Sequence, residues 1–201
     1  FSKRRRETSL NTPTGMPDEE ADKMAMEYIE KLKGEMNSKG GCMECRINGV
    51  PAGVGDPVFE KLDAMLAGAV MSIGAVKAVE IGDGAIVSSK TGSENNDAFR
   101  IENGNIVKKT NHSGGILGGI SDGSEIIIRA HVKPTPSIAM TQETVTKDGK
   151  ETEVNIKGRH DPVIVPRAVV VMESMCAITL LDAILKGSCS KLDNLLKLYK
   201  S

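Results

Sequence analysis

Three polar residues that could do chemistry lie side by side in the segment Gly158-Arg159-His160-Asp161-Pro162. The flanking glycine and proline prevent a regular helix or a central strand from running through the segment. In such a turn Arg159 could bind a phosphate or carboxylate, and Asp161, held ionised beside a cation, could act as a base. The same charges also suit the capping of the long apolar helix that the next residues predict. From these residues alone, capping is the simpler interpretation.

A second candidate site follows the clearest strand pattern of the chain, as Lys133-Pro134-Thr135-Pro136-Ser137. Two prolines stop strand pairing and fix an extended loop. The loop would present an ammonium group and two hydroxyls, which suits an anion or the polar edge of a ring. The alternative is a solvated lysine after an edge strand.

The third candidate is the segment from Asn111 to Ser121, which contains the pairs Gly114-Gly115 and Gly118-Gly119. Glycines let the backbone approach a flat or phosphorylated ligand and expose amide N–H groups. A glycine-rich hairpin or a lid explains the same residues equally well. The spacing matches neither the P-loop nor the dinucleotide-binding glycine pattern, so it predicts no standard nucleotide site.

The cysteines predict neither a metal site nor a disulfide framework. Cys42 and Cys45 form a C-x-x-C pair within a predicted strand, but Cys176 and Cys189 do not supply a second pair. We therefore interpret all four as reduced thiols of an intracellular protein and expect no bound metal. We find no secretory signal and no apolar run long enough to span a bilayer, so we expect a cytoplasmic protein with no membrane partner.

Charge gives no case for nucleic acid as a partner. The 201 residues carry 26 Lys and Arg against 27 Asp and Glu, a formal net charge of −1, so no strong field attracts polyanions. The basic run Lys3 to Arg6 is followed by polar residues. We predict residues 1–16 to be a flexible N-terminal segment and 17–201 to belong to one domain, since the length suits one domain, or one domain and a small appendage.

Hydrophobic periodicity predicts the elements that must position these residues. Helices are expected at 17–34, 57–73 and 166–186, a short amphipathic segment at 191–200, and strands at 41–50, 75–82 and 125–133. Hairpin turns are expected at Asn103-Gly104 and Asp148-Gly149. One face of the first helix is expected to carry Met24, Tyr28, Ile29 and Leu32, and the buried stripe of the second is expected to include Val58. Helix and strand runs do not alternate strictly, which favours an α+β fold with antiparallel sheet.

Six motifs occur in one order along the chain: Met71–Lys77, Glu80–Gly84, Gly92–Asp97, Asn111–Ser121, Lys133–Thr135 and Gly158–Pro162. With Val50–Phe59 and Val165–Ala168, they make residues 17–187 resemble the C-terminal half of chorismate synthase. The resemblance implies antiparallel sheet layers packed with helices as a β-α-β sandwich, and a homotetramer.

The resemblance also implies a reaction. The family converts 5-enolpyruvylshikimate 3-phosphate to chorismate by 1,4-elimination of phosphate, and it requires reduced FMN although there is no net redox change. It implies Asp161 as the catalytic residue that takes a proton by way of the reduced flavin, with Arg159 near the substrate anion. The implied cofactor-binding residues are Gly74, Ala75, Asn111, Gly118, Lys133, Pro134, Thr135, Pro136, Ser137 and Arg159.

One part of the family pattern has no counterpart in this chain. The resemblance implies a long N-terminal half that supplies catalytic histidines and several arginines. We therefore expect a truncated form, a proteolytic fragment or a degenerate paralogue, with little or no chorismate synthase activity by itself. The alternative is a non-catalytic flavin-binding or oligomerisation module.

Overall fold

The structure is a computed structural model that describes residues 3–158, 160–190 and 192–199. The chain forms two compact units. The first is Phe1–Met43 with His131–Val169, and the second is Glu44–Ala130 with Val170–Ser201. Each unit therefore draws on two separate stretches of sequence.

Helices and strands are mixed along the chain. The helices are α1 (Lys3–Asn11), α2 (Glu19–Gly34), α3 (Leu62–Met71), α4 (Gly92–Asn95), α5 (Val165–Cys189) and α6 (Leu192–Tyr199), with a 3-10 turn at Gly84–Ser89. The strands are β1 (Gly41–Ile47), β2 (Val76–Ile81), β3 (Phe99–Glu102), β4 (Asn105–Lys108), β5 (Ile116–Leu117), β6 (Ile120–Ser121), β7 (Ile126–Val132), β8 (Gln142–Val145) and β9 (Glu151–Val154). One sheet has the order β1-β7-β2, and β3–β4, β5–β6 and β8–β9 are antiparallel pairs. The predicted α+β fold with antiparallel sheet is confirmed.

One strand and one helix whose patterns the sequence shows directly contribute to the core of the second unit. Along β7 buried and half-buried residues alternate without a break, as a strand between a core and a more polar face requires. In α3, Leu62, Leu66 and Val70 are fully buried at every fourth position, which places them on one helix face. Each such side chain contributes about 1.5–3 kcal/mol by its burial.

Both predicted hairpin turns are present. Glu102 pairs with Asn105 across the first turn, whose central residues Asn103 and Gly104 have φ angles of 51° and 79°. Two positive φ angles in a two-residue loop match the twist of the flanking strands, and this is why Asn-Gly is favoured there. In the second hairpin Gly149 has a φ of 74°.

Helix α3 begins later than predicted. Asp56 and Glu60 exchange two backbone hydrogen bonds of 2.9 and 2.6 Å, and this small loop keeps the residues between them out of the helix. Val58 and Phe59 are 82% and 89% exposed, so the prediction that Val58 belongs to the buried stripe was wrong. The pairing is made by backbone groups, so side-chain periodicity could not indicate it.

The start of α2 agrees with the sequence better than its buried face does. Asp18 caps the helix by accepting a 2.9 Å bond from the N–H of Ala21, the usual role of an N-cap aspartate. Leu32 is buried, whereas Met24 and Tyr28 are exposed. Only part of the shared face is therefore covered.

The N-terminal segment contains regular structure that its composition did not indicate. Helix α1 spans Lys3–Asn11, where we predicted an irregular chain. Beyond it, Thr14 is buried, and its N–H donates a 3.0 Å bond to Oδ1 of Asp22 in α2. The flexibility of residues 1–16 stays a prediction.

Helix α5 is apolar on two faces. The buried face carries Met172, Cys176, Leu180 and Ala183, while Val171, Ile178, Leu181 and Leu185 are exposed. By length and mean hydropathy of 2.0 the helix could cross a membrane, so our prediction that no apolar run was long enough was wrong. The charged residues within the apolar stretch are too few to lower its mean hydropathy below that of a membrane-spanning helix. A core helix of a soluble protein passes the same test, so the helix alone indicates little about membranes.

Candidate active site

In the first unit, a hydrogen bond to the backbone holds the loop after β7 in place and leaves the polar side chains of the loop accessible. The carbonyl of Thr135 accepts a 2.6 Å hydrogen bond from Oγ of Ser38. Lys133 is exposed, and Thr135 and Ser137 are half-buried. Within the described part of the chain, the structure shows no hydrogen bond of these three side chains, so they are available to a ligand.

The turn before α5 places Asp161 against the first turn of that helix. Its Oδ2 lies 2.6 Å from Nη1 of Arg167, and this ion pair fixes the direction of the carboxylate. Nε2 of His160 donates a 3.0 Å bond to the carbonyl of Ile156. The charge partner of Asp161 is therefore a residue six positions further along, a spacing that no helix or strand period indicates. Arg159, predicted to bind the substrate anion, lies outside the described residues.

A cavity of about 160 Å³ lies beside Asp161 in the first unit. The chain after α2 contributes Asn37 and Ser38 to its lining, and the turn before α5 contributes His160 and Asp161. Pockets for a whole ligand measure about 300–1,000 Å³. A cavity of this size suits one functional group of a larger ligand.

In the second unit, Gly74 and Ala75 form an open stretch of backbone after α3. Ala75 has a φ of 72°, in the left-handed region that side chains rarely adopt. A Cβ placed on Gly74 would have no atom within 4 Å. The predicted cofactor contact at this turn is therefore physically accessible.

The glycine-rich segment is a hairpin, one of the two interpretations that the sequence left open. Strands β5 and β6 pair Leu117 with Ile120, and Gly118 and Gly119 between them have φ angles of 60° and 90°. A Cβ on Gly118 would meet nothing within 4 Å. The turn thus also keeps the exposed backbone that a flat ring would need.

Asn111 stabilises the glycine-rich segment from within. Its Nδ2 donates a 2.7 Å bond to the carbonyl of Glu125, and its Oδ1 accepts a 2.9 Å bond from the N–H of Gly115. Both polar ends of the side chain are therefore used inside the protein. The predicted contact of Asn111 with a cofactor stays a prediction, and the structure gives the residue a supporting role.

Two of the ordered motifs meet at Gly82. The N–H of Asp83 donates a 2.9 Å bond to the carbonyl of His112. A Cβ on Gly82, whose φ is 60°, would lie 2.2 Å from that same oxygen. The segment Glu80–Gly84 and the glycine-rich hairpin therefore approach more closely than any residue with a side chain would permit.

A buried ion cluster supports this region. Lys108 and Asp97 are only 5% and 6% exposed, with 3.6 Å between Nζ and Oδ2, and Nζ also contacts Asp122 and Oγ of Ser113 at 3.0 Å. Burial alone would raise the pKa of Asp97, but bonds from the backbone N–H groups of Ser113 and His112 and from two hydroxyls hold that pKa well below its usual range. Sequence reasoning included Asp97 in a motif and missed Lys108 and Asp122, because their separation along the chain follows no regular period.

His112 belongs to a second polar group. Its Nδ1 lies 2.6 Å from Oδ2 of Asp83 and 3.2 Å from Nζ of Lys90. The bonds from Lys90 and His112 lower the pKa of Asp83. The group fixes the imidazole, which lies within the glycine-rich segment from Asn111 to Ser121.

The described residues hold no group of three His, Cys, Asp or Glu side chains suited to a metal ion. The cysteines are free thiols. Cys45 and Cys176 are hydrogen-bonded to each other, which lowers the pKa of the Cys45 thiol and raises that of Cys176.

Comparison with known proteins gives one family. The chorismate synthase family model matches residues 3–185. Chorismate synthase of Lachnoclostridium phytofermentans is 57% identical over the whole chain, which covers 55% of that relative. For that of Agathobacter rectalis, the identity is 56% over 94% of this chain and 52% of the relative. A crystal structure of chorismate synthase aligns with a TM-score of 0.74 and 31% identity, over 91% of this chain and 48% of that one. The chain spans about half the length of the curated relatives it matches.

Proposed function

The chain belongs to the chorismate synthase family, and from this we propose that it forms part of an active site that converts 5-enolpyruvylshikimate 3-phosphate to chorismate and phosphate with reduced FMN. The observation that carries the proposal is the carboxylate of Asp161, which is held by Arg167 at 2.6 Å and lines a cavity. In the same unit the Lys133–Ser137 loop presents a cation and two hydroxyls. A proton acceptor and an anion-binding loop are what this elimination requires.

The residues present fit a flavin. In the second unit, the open backbone at Gly74 and Gly118, with Ala75 next to Gly74, suits contact with a flat ring. In the first unit, Lys133, Thr135 and Ser137 supply donors for polar ring edges or a phosphate, and Pro134 and Pro136 keep their loop extended. Reduced FMN would supply an electron-rich ring next to the substrate in a reaction without net oxidation or reduction.

The elimination breaks a ring C–H bond and the C–O bond to phosphate, and it forms one new double bond. Asp161 is the group proposed to accept the proton, since its carboxylate is already oriented by an ion pair. The leaving phosphate carries negative charge, which Arg159 and Lys133 would stabilise. These roles need only donors and acceptors that the chain itself provides.

The test uses a full-length hybrid, in which this chain replaces the matching region of the Lachnoclostridium phytofermentans relative. We expect the hybrid to form chorismate from substrate and reduced FMN, followed by absorbance without oxygen. The variant Asp161→Asn should lose about 10²- to 10⁴-fold in turnover and keep its affinity for FMN within about threefold, because the amide retains the shape but cannot accept the proton.

Asp148→Asn is the matched control, since Asp148 is exposed in a hairpin turn and the chemical change is identical. It should leave turnover unchanged. Undiminished turnover by Asp161→Asn would disprove the role of Asp161 as a base. An inactive hybrid that also fails to bind FMN would disprove the proposed function itself.

The apolar outer face of α5 favours a second candidate, a flavin-binding or oligomerisation module without turnover of its own. We expect the 201-residue chain alone to bind reduced FMN, to form oligomers up to a homotetramer, and to produce no chorismate. Turnover by the chain alone would exclude this candidate. A monomer in sedimentation that does not bind FMN would also exclude it.

A further inference from the structure

The chain between α2 and β1 reverses direction within a few residues. The N–H groups of Met36 and Asn37 donate to the carbonyls of Lys33 and Leu32 at 3.1 and 3.0 Å, which is the bonding pattern of a Schellman motif. Met36 has a φ of 54°, in the left-handed region where glycine is usual. Side chains other than glycine persist there when the surrounding structure holds them.

The next two residues are bonded to both loops of the candidate site in the first unit. Oγ of Ser38 donates a 2.6 Å bond to the carbonyl of Thr135. The N–H of Lys39 donates a 2.8 Å bond to the carbonyl of Pro162. Adjacent residues therefore connect the loop that carries Lys133 to the turn that carries Asp161.

Two glycines let this segment lie close to the elements it connects. A Cβ on Gly40 would be 2.3 Å from the carbonyl oxygen of Val132, and one on Gly41 would be 2.9 Å from Cγ2 of Val165. Val132 ends β7 just before the Lys133 loop, and Val165 begins α5 just after the Asp161 turn. The segment is therefore in close contact with both loops at their points of attachment.

We propose that Ser38 is a positioning residue, which fixes the Lys133–Ser137 loop relative to the Gly158–Pro162 turn. The proposal rests on the proposed function for its catalytic consequence. Ser38 also lines the cavity beside Asp161, so a shift of this segment changes the shape of the space in which Asp161 acts. The separation of proton acceptor and anion-binding loop is thereby set by a residue outside every motif that carried the family resemblance.

The test compares Ser38→Ala, which removes the hydroxyl, with Ser38→Thr, which keeps it. In the 201-residue chain we expect the amide hydrogen of Lys39 to exchange about fivefold faster in the alanine variant, because the neighbouring bond that holds the segment is lost. The threonine variant should restore the exchange rate. Ser188→Ala is the matched control, because its hydroxyl donates a 2.8 Å bond to a carbonyl on the exposed part of α5.

The hybrid enzyme supplies the functional readout. We expect Ser38→Ala to lower kcat about 10- to 100-fold, since a displacement of about 1 Å at a reacting group can cost that much, with FMN affinity and substrate KM changed less than threefold. Ser38→Thr should recover most of the rate, and Ser188→Ala should match the parent.

The two readouts separate the possible failures. A hybrid that turns over equally well with and without the hydroxyl overturns the positioning role. A parent hybrid that is inactive and fails to bind FMN contradicts the proposed function. With any inactive parent hybrid, the exchange of Lys39 decides the positioning role, which unchanged exchange in Ser38→Ala would overturn.

Discussion

The buried ammonium of Lys108 gives the strongest prediction about stability. Its side chain is 5% exposed and lies near two carboxylates, those of Asp97 and Asp122. Replacing it by methionine keeps most of its volume but leaves two buried acids without their cation. Removing one partner of a buried ion pair costs about 3–5 kcal/mol, so we expect Lys108→Met to lower the free energy of unfolding by that amount at pH 7.

Lys186→Met is the matched control. Lys186 also faces two carboxylates, those of Glu60 and Asp182, at 2.9 and 3.0 Å, but its side chain is 50% exposed. Solvent screens exposed ion pairs, which therefore contribute little to stability, so the loss of Lys186 should lower the free energy of unfolding far less than the loss of Lys108. The assay is urea unfolding followed by circular dichroism in the far ultraviolet, because the chain has no Trp and only two Tyr.

The pH dependence makes the test sharper. Burial raises the pKa of Asp122. The hydrogen bonds from Lys108 and Ser124 and the charge of Lys108 lower it by more, so the pKa lies below its usual value. The lowered pKa of Asp122 contributes stability that is present above the unfolded value of about 3.9 and is lost as pH falls through the folded pKa. Without Lys108 the pKa is lowered less, because only the bonds from Ser124 remain. We therefore expect the difference in unfolding free energy between Lys108→Met and the parent to shrink by about 1 kcal/mol or more between pH 4 and pH 2. A difference equal to that of Lys186→Met, or one independent of pH, would refute the reasoning.

Three other substitutions test the same region. Gly82→Ala should cost more than 2 kcal/mol in unfolding free energy, since its Cβ would lie 2.2 Å from the carbonyl oxygen of His112 and the clash adds to a backbone cost of about 1–2 kcal/mol. Gly118→Ala, at the same φ of 60° but in open space, should show the backbone cost alone, and equal losses in thermal unfolding would contradict the close approach. Asp97→Asn should cost about 1.5–3 kcal/mol at pH 7. Because the pKa of Asp97 is lowered in the folded protein, its contribution is present above the unfolded pKa of about 3.9 and is lost as pH falls below it, so the unfolding free energy of the variant should depend less on pH between 4 and 2.

Local patterns predicted the elements well. The alternation along β7 and the Asn103-Gly104 turn depend on neighbours a few residues apart, so a single sequence contains the information. The late start of α3 depends on backbone groups of Asp56 and Glu60, which all residue types share. The sequence left the hairpin at Gly118-Gly119 ambiguous. Glycines allow unusual backbone angles both in a tight turn and at a ligand contact, so their presence does not distinguish the two.

The sequence predicted which residues form the candidate site better than it predicted the contacts between them. The motifs identified the Lys133 loop and the Asp161 turn, which the structure places in one compact unit. They did not predict the partner of Asp161, because its contact with Arg167 depends on the path that the backbone takes between the two residues. Ser38 was missed for the same reason. Its bond to Thr135 spans 97 positions along the chain, and no local pattern contains such a distance.

The link through Ser38 and Lys39 ends on main-chain oxygens, those of Thr135 and Pro162. Every amino acid carries such an oxygen, so substitution of the side chains in either loop leaves the link in place. The side chains that select a ligand could therefore be substituted while the spacing between the two loops stays the same. A library that varies positions 133–137 and keeps Ser38 through Gly41 constant would test new ligand-binding side chains at an unchanged spacing between the loops.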